Sequence, residues 1–371
     1  MSATPDQLPR PLGLDRPKAT RSPARALGLL ALTAAFGVIA YGAFLRGAPA
    51  PQPFAVAPIR TLPPEPPTAA PPAEPAAAAP APRAAVPAPL PTPPAAGKPA
   101  ATVAAKMATA PDLRLVERTR YGLLPRIGPD GARPHTVYAR PTPPAARTGP
   151  RIALVVTGLG ISQSLTAEAL AKLPPEVTLA FAPYGSDLER MVTQVREKGH
   201  EVLLQVPMEP FDYPDNDPGP HTLTARAKPQ ENLDRLHWVM GRFTGYTGLV
   251  TLMGAKLTAD EGALQPILRE VSQRGLLLVD DGASVRSTIR TNPSPEAATL
   301  RAGIVVDAVV RGDAVDRELG RLEEAARSGG AVVGTAGLSP VTLERIAAWA
   351  RTLPQRGIHL VPPSALLETP R

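Results

Sequence analysis

Short apolar runs alternate with segments of helical periodicity from residue 151 to the end of the chain. The apolar runs predict strands at 152–156, 177–181, 201–206, 248–253, 276–279, 304–309, 331–333 and 358–361. The periodic segments predict helices at 162–173, 186–198, 231–243, 261–274, 316–328 and 341–353. Strands that alternate with helices form a parallel sheet, either an incomplete barrel or a doubly wound sheet, with its chemistry at the C-terminal ends of the strands.

A different pattern occupies the N-terminal end, where residues 26–45 form a run of 20 residues without a charge. At about 1.5 Å per residue this run matches a hydrocarbon core of about 30 Å, so it predicts a transmembrane helix. A cleaved signal peptide with its cleavage site at 48–50 is the alternative, but its apolar core is usually only about 7–15 residues long. Basic residues at positions 10, 16, 18, 21 and 25 precede the run and Arg46 alone follows it closely. This bias predicts a cytoplasmic N-terminus and a periplasmic C-terminal part on a single-pass protein of a bacterial inner membrane.

Proline and alanine dominate the segment that follows. Of the 49 prolines in the chain, 20 lie in residues 49–111. Such a composition offers too little apolar surface to offset the entropy of ordering, and it predicts a disordered, semi-rigid linker. Residues 112–148 recover a mixed composition with a turn at 128–131, which predicts a lead-in segment packed on the main domain. The predicted organisation is a basic cytoplasmic tail (1–25), a transmembrane helix (26–45), a tether (46–111), the lead-in segment (112–148) and an α/β domain (149–371).

Charge is unevenly distributed and argues against nucleic-acid binding. Residues 1–148 carry 17 Lys/Arg against 7 Asp/Glu, whereas residues 149–371 carry 23 against 26. The basic surplus therefore lies outside the predicted domain, and no aromatic residues interleave with it. The chain has no cysteine, which excludes thiol catalysis and a cysteine-ligated metal.

Several phrases within the predicted domain are specific enough to indicate a family. They include VVTGLGIS from residue 155, LPPEVTLAFAPY from 173, GHEVLLQVPMEPFDYPDNDPGPHTL from 199, GYTGLVTLMGAKLT from 245 and RGLLLVDDGAS from 274. On these phrases, residues 112–366 resemble the divergent polysaccharide deacetylases, the YibQ-like proteins. The resemblance implies a distorted (β/α) barrel of the polysaccharide deacetylase (NodB-like) type, exported and associated with the cell envelope.

The resemblance also implies a metal site, which this sequence does not reproduce. Active members of the superfamily carry an acidic pair at the end of the first strand and two histidine ligands. Here the acidic pair aligns with Thr157 and Gly158, and Leu252 stands where a histidine is found in metal-binding relatives. Because a metal hydrolase needs a base and a ligand set, we expect a degenerate site with no metal or other cofactor.

The predicted ligand-binding residues lie at the C-terminal ends of two strands, 201–206 and 276–279. They are Gln205, Glu209, Asp212, Tyr213, His221, Asp280 and Asp281. Prolines in 207–220 hold acidic and aromatic side chains next to one another, which suits a sugar groove, although a solvated acidic loop is the plainer interpretation. Asp280 and Asp281 are either metal ligands or caps of the following turn.

Three functions remain open on the sequence alone. The first is binding of a cell-envelope glycan, peptidoglycan in particular, or of a periplasmic envelope protein. The second is a carbohydrate deacetylase with a rearranged site built from Glu209, Asp280 and Asp281. The third is a structural scaffold in the periplasm. The fold alone does not decide among them, because function depends on the site.

Overall fold

The computed structural model describes residues 107–291 and 298–367. The predicted cytoplasmic tail and transmembrane helix, and all but the last few residues of the predicted tether, lie outside the described residues. Within the described residues, every helix is too short or too polar to cross a bilayer.

Eleven strands and seven α-helices are described. The strands are β1 Val116–Thr119, β2 Gly122–Pro125, β3 Arg151–Leu159, β4 Thr178–Phe181, β5 Val202–Met208, β6 Gly248–Met253, β7 Leu277–Asp280, β8 Thr299–Arg301, β9 Ile304–Val305, β10 Ala331–Ala336 and β11 His359–Val361. The helices are α1 Pro134–Val137, α2 Gln163–Lys172, α3 Leu188–Glu197, α4 Pro229–Met240, α5 Glu261–Gln273, α6 Gly312–Gly329 and α7 Pro340–Ala350.

Side-chain caps explain where three of the helices begin. Ser162, Asp260 and Ser339 each accept a hydrogen bond from a backbone N–H of the first turn of α2, α5 and α7 respectively. These caps satisfy amide donors that have no partner within the helix. The predicted starts of these helices therefore agree closely with the observed ones.

The parallel sheet runs in the order β8-β7-β6-β5-β4-β3-β10-β9, and β11 also pairs with β3. The segment 299–305 is continuous in sequence but pairs with both ends of this series. Leu278 of β7 is in register with Thr299, and Gly334 of β10 is in register with Ile304. The segment therefore joins the two edges and bends the sheet into a distorted barrel. This parallel architecture confirms the predicted α/β class.

Alternate residues of each strand face two different cores, because successive side chains in a strand point to opposite faces. Ala153, Val155, Leu203, Val250 and Val279 belong to an inner cluster with residues of β8 and β10. Their neighbours Leu154, Val156, Leu204, Leu249 and Leu278 belong to an outer cluster shared with the helices. The near-continuous apolar runs of the sequence follow from this two-sided burial.

The C-terminal third differs from the prediction at two points. The sequence predicts one strand at 304–309, but β9 ends at Val305 because the chain turns at Asp307, whose carboxylate accepts a bond from the Gly337 amide. The strand β8 was not predicted. It is three residues long, Thr299-Leu300-Arg301, and polar residues flank its single apolar position. The strand β8 forms because it pairs with β7, and the strand propensity of its own residues does not predict it.

The lead-in segment contacts the domain along the N-terminal ends of the strands. The guanidinium of Arg196, at the end of α3, donates to the carbonyls of Ala108, Tyr138 and Gly245. Glu201 is fully buried, and its carboxyl accepts bonds from the Arg140 amide at 3.2 Å and the Ser364 hydroxyl at 2.5 Å. These bonds join the lead-in segment, the barrel and the C-terminal turn Pro363–Leu366.

Candidate functional site: the barrel mouth

The top layer of the barrel interior is polar, and its side chains bond to the backbone of other strands. Gln205 is almost fully buried, and its Oε1 accepts a bond of 2.7 Å from the Gly158 amide. The Thr157 hydroxyl donates to the Ala336 carbonyl at 3.1 Å, and the Thr335 hydroxyl donates to the Asp281 carbonyl at 2.7 Å. Thr157, Gly158 and Gln205 therefore converge at the mouth of the barrel.

This layer provides no carboxylate where the resemblance implies a base and a metal ligand. The bond from Gly158 also fixes the Gln205 amide, so its NH₂ group is turned away from Gly158. That group makes no hydrogen bond within the described residues. A fixed amide donor can bind a ligand oxygen, but it cannot remove a proton from water.

Asp280 and Asp281 do not act as one carboxylate pair. Asp280 is almost fully buried, its Oδ1 accepts from the Gly282 amide at 3.0 Å, and its Oδ2 lies 3.6 Å from Nε of Arg301. Asp281 accepts from the Ala283 amide at 3.0 Å. Each carboxylate therefore caps the turn after β7, the second of the two roles that the sequence left open.

Asp281 nevertheless has a strongly raised pKa. Burial, with a smaller contribution from neighbouring Asp280, raises its pKa to about 7. Bonds from Ala283, Thr251 and Met253 oppose this shift without cancelling it. A carboxyl with this pKa exchanges its proton near neutral pH, as general acids and bases do.

The loop between β5 and α4 is closed at its base by Glu209. The Oε1 atom of Glu209 lies 2.6 Å from Nζ of Lys256, and Oε2 accepts from the Ala225 amide at 2.7 Å. The Glu209 amide also donates to the Leu223 carbonyl at 2.9 Å. Glu209 is almost fully buried, so its carboxylate lies at the base of the loop and not on its ligand-facing surface.

The tip of the loop between β5 and α4 carries exposed side chains. Phe211 is 53% exposed, and the guanidinium carbon of Arg286 lies 5.5 Å from its ring centroid. Asp212 is exposed and Tyr213 is half-buried. The contact with Arg286 brings the loop after β5 next to the loop after β7, so the two predicted groups of site residues share one rim.

His221 lies at the far end of the same loop and is part of an aromatic stack. Its ring is parallel to that of Trp238, with 3.5 Å between centroids, and the ring of Tyr184 lies 6.5 Å away. Burial and the nearby Arg235 and Arg242 lower the pKa of His221. The stack anchors the loop to α4, and it does not bring His221 to the carboxylates of the mouth.

These residues do not fit the metal site that the resemblance implies. Within the described residues, no three His, Asp or Glu side chains are grouped so that they could hold an ion. Glu209 is neutralised by Lys256, and Asp280 lies beside Arg301. A tight zinc site needs three or four ligands directed at one point, and the mouth does not provide them.

Sequence reasoning missed one acidic residue of the mouth. Asp307 follows β9, and its carboxylate accepts bonds from the Gly337 amide at 2.9 Å and from the Thr342 hydroxyl at 3.0 Å. It ties the loop after β9 to the start of α7. An acidic residue at the end of an apolar run was the available signal, but the overlong strand predicted at 304–309 concealed it.

Comparison with known proteins agrees with the fold and the sequence phrases. Residues 154–367 match the family model described as divergent polysaccharide deacetylase. The uncharacterized protein YibQ of Escherichia coli is 21% identical over 223 residues, which cover 60% of this chain and 68% of YibQ.

Two solved structures are also similar to part of this chain. The crystal structure of the uncharacterized protein ATU2773 from Agrobacterium tumefaciens is 41% identical and aligns with a TM-score of 0.63, over 66% of this chain and 99% of that one. The catalytic domain of a peptidoglycan N-acetylglucosamine deacetylase from Eubacterium rectale aligns at 14% identity with a TM-score of 0.37, over 61% of this chain and 93% of that one. The family model spans more than half of the sequence, so this chain belongs to the divergent polysaccharide deacetylases.

Proposed function

We propose that this protein binds a glycan of the bacterial cell envelope at the barrel mouth and does not cleave it by metal-assisted hydrolysis. One observation carries the proposal. Thr157 and Gly158 occupy the place of the acidic pair, and their polar groups bond to Ala336 and Gln205. Losing the base and the metal ligands together costs a hydrolase several powers of ten in rate.

The rim of the mouth supports binding of a sugar. Phe211 and Tyr213 offer ring faces, Asp212 offers acceptors for hydroxyl groups, and the amide of Gln205 offers a fixed donor below them. Apolar faces next to a few directed polar groups are typical of sugar sites. Glu209, His221 and Asp280 serve this site indirectly, since each of them holds a loop in place.

The chain is proposed to act in the periplasm, held by residues 26–45 in the inner membrane. The 20 uncharged residues and the basic residues before them support this location. A roughly 60-residue polyproline tether would span up to about 190 Å at about 3.1 Å per residue, which is ample reach into the envelope.

Retention of the full chain, in detergent, on purified peptidoglycan sacculi tests the binding. We expect Tyr213→Ala to weaken retention by about 5- to 100-fold, the effect of truncating an anchoring aromatic, and Tyr213→Phe to change it far less. Leu113→Ala is the matched control, because Leu113 is exposed and lies in the lead-in segment. Equal retention of all three variants and the parent protein would refute the glycan site.

A second function, an active deacetylase with a rearranged site, is favoured by one observation, the pKa of about 7 at Asp281. Deacetylation of acetylated glycan fragments that is lost in Asp281→Asn and kept in Asp280→Asn would establish it. Submicromolar binding of one zinc ion per chain in calorimetric titration would also contradict the metal-free proposal. We expect neither result.

A further inference from the structure

Large apolar side chains are exposed mainly at one end of the barrel. Within the described residues seven such side chains are exposed, and six of them follow the C-terminal ends of strands. They are Ile161, Phe211, Val285, Val309, Val310 and Val341. Val285, at 93% exposure, is almost completely in solvent, and only Leu113 lies elsewhere. Scattered single residues of this kind are ordinary, but their concentration on one rim marks a contact surface.

Five of the six form an unbroken arc. Val285 follows β7, Val309 and Val310 follow β9, Val341 begins α7 after β10, and Ile161 follows β3. These strands are consecutive around the barrel, because the segment 299–305 joins β7 to β10 and β10 pairs with β3. We call these five residues the apolar arc.

The carboxylates near the apolar arc are largely neutralised, whereas one cation is not. Asp307 is bonded to Gly337 and Thr342, and Asp313 forms ion pairs with Arg311 and Arg317. Arg286, directly after Val285, is exposed and makes no ion pair within the described residues. The acidic residues of the loop after β5 lie outside the arc. The arc therefore presents apolar tips with a basic residue among them.

A groove continues the arc down the side of the barrel. A cavity of about 310 Å³ lies between β9 and α6, and Val305, Val309 and Ala314 line it together with Arg317, Glu318 and Arg321. Both guanidinium groups are paired, Arg317 with Asp313 and Arg321 with Glu318. The groove therefore extends the apolar surface of the arc and adds no free cation to it.

We propose that the apolar arc docks on the surface of a bilayer that contains anionic lipid. The five apolar side chains lie on several loops around one end of the barrel. A flat surface can therefore contact all of them at the same time. Arg286, which makes no ion pair within the described residues, is attracted to anionic headgroups. The predicted anchor at 26–45 would keep the domain near that surface and so raise its effective concentration. This inference does not depend on the glycan site.

The absence of cysteine allows a direct test in the full chain. Val285→Cys is labelled with an environment-sensitive fluorophore, and the protein is reconstituted in vesicles of phosphatidylcholine with or without phosphatidylglycerol. Lipids that carry a quencher in the acyl chain report contact. Leu113→Cys is the matched control, because it is exposed and follows the same tether.

We expect the label at residue 285 to shift to the blue and to be quenched several-fold more than the label at residue 113, but only with anionic lipid present. Adding Arg286→Glu, or raising the salt concentration, is expected to reduce this quenching. Val309→Cys gives a second position in case the first variant unfolds, which thermal unfolding of each labelled protein checks.

Equal quenching at residues 113 and 285 would overturn the proposal, since the tether alone would then account for proximity. Quenching or a blue shift at residue 285 only after a protein partner is added would overturn it as well. Retention on sacculi, measured with the same labelled proteins, separates this outcome from failure of the glycan site.

Discussion

At the N-terminal ends of the strands, the buried guanidinium of Arg196 donates to three carbonyls, and the buried carboxyl of Glu201 is bonded to two other segments. At the C-terminal ends, the Oδ2 atom of buried Asp280 has no hydrogen-bond partner within the described residues, and the pKa of Asp281 is raised to about 7. Arg196 and Glu201 thus hold segments together at the lower end, whereas Asp280 at the mouth retains unused hydrogen-bonding capacity and Asp281 a raised pKa. Unused capacity of this kind is typical of a binding surface.

The largest expected effect is at the lower end. Arg196→Met removes the donors to Ala108, Tyr138 and Gly245 and leaves these carbonyls without partners. We expect the free energy of unfolding to fall by about 3 to 5 kcal/mol, because bonds from a buried charge are among the strongest in a protein. Urea unfolding followed by circular dichroism measures this loss. Arg190→Met, at an exposed position of the same helix, is the control, and a similar loss there would contradict the interpretation.

The next effect is at the mouth and depends on pH. The pKa of Asp281 is raised from 3.8 to about 7, so the folded protein binds this proton more tightly than the unfolded chain does. The unfavourable contribution is absent below about pH 4, grows as the pH rises, and is complete above about pH 7. We expect Asp281→Asn to raise the free energy of unfolding by about 2 kcal/mol at pH 8 and by nothing at pH 4.

Urea titrations of the parent protein and Asp281→Asn at pH 4, 6 and 8 measure this difference. Asp215→Asn is the control, because Asp215 is an exposed acid of the neighbouring loop. A gain that is the same at all three pH values would show that Asp281 is not the titrating group.

The smallest effect has the opposite sign and lies again near the lower end. The pKa of Glu270 is lowered to about 2, first by the bond from His237 and then by Arg274. A lowered pKa stabilises the fold above the ordinary range of the carboxyl, and this contribution is lost as the pH falls toward 2. Glu270→Gln is therefore expected to cost about 1 to 2 kcal/mol at pH 7 and progressively less below pH 4.

Glu261→Gln, an exposed acid at the start of the same helix, is the control for this measurement. With rising pH, Asp281→Asn is expected to stabilise the fold and Glu270→Gln to destabilise it. If both variants changed the free energy of unfolding in the same direction, the contrast between the two ends of the barrel would be refuted.

Most of the fold was predictable from periodicity. The strand predicted at 248–253 is β6 without change, and the predicted helices overlap every observed helix from α2 to α7. Two-sided burial produces strong apolar runs, which is why these strands were found. The strand β8 was missed because three residues with one apolar position carry no periodic signal.

The site was less predictable, because hydrogen bonding decides what each polar residue does. The sequence placed Glu209 and Asp212 together on one loop, but Glu209 is paired with Lys256 at the base and Asp212 is exposed. Asp280 and Asp281 are adjacent in sequence, yet they accept bonds from two different amides, those of Gly282 and Ala283. These turn caps were one of the two roles that the sequence left open, whereas a partner 47 positions away, such as Lys256 for Glu209, is not visible in the order of residues.

Because β3 pairs with β10 and β11, the sheet can be completed only late in the synthesis of the chain. Arg151 at the start of β3 is in register with Ala331 of β10 and with His359 of β11, about 200 residues later. The central strand therefore keeps an open edge until nearly the whole polypeptide has been made, and contacts of such long sequence separation form slowly. A ribosome-bound chain that lacks its last dozen residues would expose this strand edge, which could then pair with other chains. The protein is therefore expected to depend on chaperones that prevent the nascent domain from aggregating.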